Sequence, residues 1–221
     1  MNVPILASLL ISLAITMPLV AEENPETLNK NAQLISAAKR NQVDLMGRLL
    51  NTGAAVNSRN RQGDTPLNLA ARNGHVEMAK LLLENSADVN IANLEKVTPL
   101  MSAAFNGHAD ILKMLLVKGA DPLVEDQVHR NAMALAAGNG QADSVKALLA
   151  QGVNVNNQYH HDLTALMWAA GHGDVATVKL LLTSGADVSL KDNRGKTALA
   201  IATEAHHPDV VALLQASGAK E

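Results

Sequence analysis

Residues 65–75 read Thr65-Pro66-Leu67-Asn68-Leu69-Ala70-Ala71-Arg72-Asn73-Gly74-His75. A threonine hydroxyl suits a helix N-cap. Proline suits the first helical position, where its missing N–H costs nothing. The small pair Ala70-Ala71 lets a neighbouring helix come close. Gly74 suits the left-handed residue that stops a helix. Val76 to Leu83 follows, with apolar residues at helical spacing. The stretch therefore predicts two short helices joined by a tight turn.

The same signals return along the chain. Thr65-Pro66-Leu67 comes back as Thr98-Pro99-Leu100, Asn131-Ala132-Met133, Thr164-Ala165-Leu166 and Thr197-Ala198-Leu199, each 33 residues after the last. A second marker keeps the same step: Gly53-Ala54, Ser86-Ala87, Gly119-Ala120, Gly152-Val153, Gly185-Ala186 and Gly218-Ala219. Stepping back from Leu67 lands on Leu34, so a degenerate first copy begins near Leu28. One such unit cannot bury its own apolar face, but stacked units share a continuous core.

With these motifs the chain resembles the ankyrin-repeat family over about residues 28–221. The resemblance implies an all-α fold. It would be an ankyrin-repeat α-solenoid of about six 33-residue helix-turn-helix repeats with β-hairpin-like fingers. The repeats fall near 28–60, 61–93, 94–126, 127–159, 160–192 and 193–221, after a short linker at 22–27. The fourth repeat departs most from the pattern and is expected to be the weakest link. The finger-turn glycine is present at Gly63 and Gly195 but replaced by Lys96, His129 and Asp162. Histidine and aspartate tolerate positive φ better than lysine does.

Composition agrees with close-packed helices. Of the 221 residues 48% are hydrophobic but only 1% aromatic, namely Phe105, Tyr159 and Trp168. The net charge of −3 supplies no basic excess for nucleic acid. With no cysteine, disulfides, thiolate metal sites and cysteine nucleophiles are excluded.

Residues 1–21 carry no charged side chain, and Ile5 to Val20 is mostly apolar. That run is short for a spanning helix, which wants about 20 residues. It fits a signal peptide, with Leu19-Val20-Ala21 ending on a small residue suited to cleavage. The mature protein is expected to be exported, periplasmic in a bacterium or otherwise secreted. This matches a resemblance to exported, periplasmic ankyrin-repeat proteins of bacteria. If the segment is retained, the alternative is a membrane-tethered adaptor.

The resemblance implies a non-enzymatic protein–protein interaction module, a scaffold, protector or inhibitor. Its partner would bind the concave face made by finger tips and first helices. Carried over by alignment, the candidate contact residues are Arg61, Arg72, Phe105, Asn106, Arg130, Tyr159, His160, His161, His172 and Arg194. Phe105 and Tyr159 fall at surface positions, where aromatics and arginine are favoured anchors. Trp168 aligns with Leu69, Leu135 and Ile201 and is expected in the core. His75 and His108 belong to the Gly-His pair and are structural, and His206-His207 before Pro208 read as a turn.

His160, His161 and His172 raise the alternative of a metal- or small-ligand-binding protein. Metal ligation needs three or four converging ligands. Neighbours on an extended finger point opposite ways, so no metal or cofactor is assigned. No Gly-rich phosphate loop, Gly-x-Ser-x-Gly elbow or His-Glu-x-x-His motif is present, and no enzyme is expected.

Overall fold

A computed structural model describes residues 25–220. The expected signal peptide lies outside the described residues. Among the described residues twelve α-helices form six pairs. The pairs are α1 Pro25–Lys39 with α2 Val43–Asn51, α3 Pro66–Asn73 with α4 Val76–Glu84, and α5 Pro99–Asn106 with α6 Ala109–Val117. Then come α7 Ala132–Gly138 with α8 Ala142–Ala150, α9 Ala165–His172 with α10 Val175–Thr183, and α11 Ala198–Glu204 with α12 Pro208–Ala216. The first helix starts at Pro25, inside the stretch read as linker.

Each repeat begins as its sequence directs. The side chains of Thr65, Thr98, Thr164 and Thr197 each accept an N–H from the first turn of α3, α5, α9 and α11. Asn131 does the same for α7, so the fourth repeat keeps its start despite losing threonine and proline. Gly74 ends α3 at φ 73°. A Cβ there would stand 2.6 Å from the His108 ring, so both conformation and space require glycine.

Packing runs between neighbours. First helices stack on first helices, from α1 through α11, and second helices on second helices. The core is one continuous row of Leu, Ala, Met, Ile and Val from Leu34 to Leu214. Thin Ala pairs such as Ala70-Ala71 and Ala103-Ala104 are fully buried between adjacent first helices.

The fingers are tight hairpins, with no strand among the described residues. Each is closed by an N–H donated to a carbonyl four residues on, as Asn60 to Asp64, Asn93 to Val97, Asp126 to Arg130, Tyr159 to Leu163 and Asp192 to Lys196. In four of them one side-chain oxygen organises the turn. Oδ1 of Asn60, Asn93, Asp126 and Asp192 accepts two backbone N–H groups two and four residues on. Lys96 and His129 adopt the left-handed conformation at φ 60° and 62°.

The fourth finger differs because Tyr159 occupies the organising position and offers no such acceptor. Both His161 and Asp162 turn left-handed there, at φ 61° and 58°. Tyr159 itself is a correction to the surface expectation. It is half-buried and packs against the core. Burial pushes its hydroxyl up to about 12, against the Asn157 and Asn131 side chains, which draw it down. Trp168 is also less central than its alignment suggests. It is half-buried against the core and stacks on His172, with ring centroids 6.1 Å apart.

Candidate functional site

The face made by the fingers and first helices holds a depression with a cavity of about 510 Å³. Its walls come from the first three fingers and from α3, α5 and α7. Five candidate residues line it together: Arg61, Arg72, Phe105, Asn106 and Arg130. Leu94, Val97, Met101 and Leu135 supply the rest of an apolar floor and wall. Phe105 keeps 44% of its surface exposed, and Leu94 is the more exposed of the two.

One departure from the repeat's apolar rows lines this depression. Ser102 stands in the row that carries Leu69, Leu135, Trp168 and Ile201 at the same place in other repeats. Its short side chain lines the cavity, as Leu135 of the same row does one repeat on. The Ser102 hydroxyl is buried without a hydrogen-bond partner. Residue-type reading passed over it because serine on a helix carries no chemical signal. Its place in an apolar row is the signal that could have found it.

Charge around the cavity is organised in fixed pairs. Arg72 Nη2 lies 2.8 Å from Asp64 Oδ1. Asn93 Nδ2 and Asn60 Nδ2 also donate to that carboxylate, at 3.0 and 3.2 Å. Burial raises the Asp64 pKa, but the bonds from Asn93, Arg72 and Asn60 and the Arg72 charge outweigh it, so the carboxyl is held below its ordinary value. Arg130 Nη2 meets the buried Asp126 at 2.9 Å. Two of the three arginines are thus pre-oriented by carboxylates beneath them. Arg61 stands exposed at the rim.

The remaining candidates lie elsewhere. Arg194 pairs with the buried Asp192 at 2.7 Å on the fifth finger. His172 lies beside Trp168, and its Nδ1 sits 2.9 Å from the Trp168 carbonyl oxygen. His160 and His161 are on the fourth finger, with ring centroids 3.8 Å apart. His160 also stacks on His129 of the third finger at 4.3 Å. Among the described residues no ring contact joins His172 to that cluster. Among the described residues no group of three or more His, Asp or Glu side chains is disposed to hold a metal ion.

The Gly-His histidines are structural. His75 and His108 each reach back to a first-helix carbonyl of the preceding repeat, Ala38 at 3.2 Å and Arg72 at 3.2 Å. His207, read from sequence as a turn residue, makes the same bridge to Gly171 at 3.1 Å. Among the described residues no helix is long and apolar enough to cross a membrane.

No curated protein matches the chain. A family model described as ankyrin repeats, in three copies, matches residues 34–126 and again residues 132–221. Between them the two matches span nearly all of the helical stack, and the chain belongs to the ankyrin-repeat family.

Proposed function

We propose that this protein is a non-enzymatic binding module that seats a segment of a partner protein in the depression over α3, α5 and α7. Ankyrin repeats generally mediate protein–protein interaction. The observation that carries the reading is the convergence of Arg61, Arg72, Phe105, Asn106 and Arg130 on one cavity. An exposed aromatic lines it together with arginines paired to carboxylates. That is the make-up of an interface anchor with a polar rim. The stack is ordered before binding, so little conformational freedom is lost on association.

The proposal includes export, with residues 1–21 removed as a signal peptide and the mature chain acting in a periplasm or outside the cell. The N-terminal residue of the purified protein tests this. A start near Glu22 supports export, and an intact Met1 in membrane fractions favours a tethered adaptor.

The binding reading is tested by crosslinking capture with the wild type beside Phe105→Ala and Ser102→Leu. A partner held by the wild type and lost by both variants supports it. A partner held equally by all three, or no partner, overturns it.

A further inference from the structure

The depression over α3, α5 and α7 is lined by three arginines, Arg61, Arg72 and Arg130, and by three carboxylates, Asp64, Glu95 and Asp126. The formal charge is balanced, but the accessible charge is not. The Asp64 and Asp126 side chains are each 3% exposed, whereas their partners Arg72 and Arg130 are 41% and 39% exposed. Arg61 is exposed and makes no ion pair among the described residues. Glu95 is the exposed acid of the lining, and among the described residues it too makes no ion pair. A partner therefore meets three guanidinium groups and one carboxylate.

Each buried carboxylate engages only part of its guanidinium. Asp64 takes Nη1 and Nη2 of Arg72. Asp126 takes Nε and Nη2 of Arg130. A guanidinium carries five N–H donors. Nε of Arg72 and Nη1 of Arg130 meet no acceptor among the described residues. Leu94 and Phe105 add exposed apolar surface to the same depression. This combination does not recur along the stack. The row that carries Arg72 and Phe105 continues as Gly138, Gly171 and Glu204, so accessible arginine beside an aromatic belongs to α3 and α5.

We infer that the depression recognises an acidic segment of its partner protein, with one apolar side chain against Phe105 and Leu94 and a flanking Asp or Glu on the arginines. The inference rests on the binding role proposed for that depression. A carboxylate forms charge-assisted bonds with guanidinium donors, about twice as strong as those of a neutral acceptor. Its two oxygens also match the planar guanidinium fork. A lysine or arginine on the partner would face three like charges, with Glu95 alone in return. Asp64 and Asp126 orient Arg72 and Arg130 before binding, so fewer rotamers are lost on association. The same buried carboxylates cancel the field at a distance, so charge selects at contact and contributes little to long-range steering.

The test is selection of a random-peptide phage library on the whole purified protein, followed by titration of the selected sequences as synthetic fluorescent peptides. Enrichment of Asp or Glu close to an aliphatic or aromatic residue is expected. Replacing those acids by Asn or Gln in the peptide should weaken binding about tenfold. Arg61→Glu alters an exposed side chain with no ion pair to lose, and should weaken the acidic peptides about tenfold with the melting temperature unchanged. Glu95→Gln should tighten them about twofold. Peptides that are lost in Phe105→Ala but carry neutral or basic residues overturn the acidic assignment and leave the depression as the binding site. Acidic peptides held as tightly by Arg61→Glu as by the wild type also overturn that assignment. No enriched peptide, or peptides indifferent to Phe105→Ala, overturn the binding role of the depression and this inference with it.

Discussion

Asp64 and Arg72 bracket α3, one before its N-cap and one in its last turn, and their side chains meet at 2.8 Å along the cavity wall. The carboxylate is 2% exposed, while the guanidinium remains accessible. The pair fixes an arginine that would otherwise sample many rotamers.

Asp64→Asn removes the anion and should cost about 1.5–3 kcal/mol, the range for hydrogen bonds to a charged group. Because Asp64 is held below its ordinary value, its contribution is complete above the unfolded pKa near 4. It is lost as pH falls through the lower folded value. Urea titrations of both proteins at pH 7 and at pH 3 check this, and the gap between them should shrink at pH 3.

Leu148 is 0% exposed in the middle of α8. Leu148→Ala should destabilise the stack by about 2–5 kcal/mol, as large-to-small core changes do. A chemical denaturation midpoint shifted by less than about 1 kcal/mol would contradict its place in the core.

Phe105 and Tyr159 should now part company. Phe105→Ala should change stability by no more than about 0.5 kcal/mol, as exposed substitutions do. Tyr159→Ala should cost about 1–3 kcal/mol, less than a fully buried aromatic because the ring is only half-buried. Thermal melts of the two single variants distinguish them.

Lys96 holds φ 60° where two other fingers carry glycine. Lys96→Gly should stabilise by about 0.5–1 kcal/mol, relief of left-handed strain exceeding the entropy cost of glycine. A lowered melting temperature would refute this.

Much of the architecture was legible because each repeat states its own boundaries. Thr65, Pro66 and Gly74 act locally, and local rules transfer from sequence to structure. The cavity was half legible. Arg61, Arg72, Phe105, Asn106 and Arg130 came from alignment, whereas Ser102, which lines the same depression with them, was passed over. Tyr159 was misplaced because its position was compared with finger surfaces. Its real distinction is chemical: a phenol cannot accept the two N–H groups that Asn60 or Asp192 gathers.

The neighbour-only stacking of α1 through α12 has a consequence for how such a chain can change length. The main helix contacts join residues of the same or the adjoining repeat, so one 33-residue unit could be excised or duplicated in register. The new seam would bring together residues of equivalent kind, and the groove would lengthen or shorten by one step. Nascent chain emerging from a ribosome could likewise dock each unit as it appears, with no contact waiting on a distant segment.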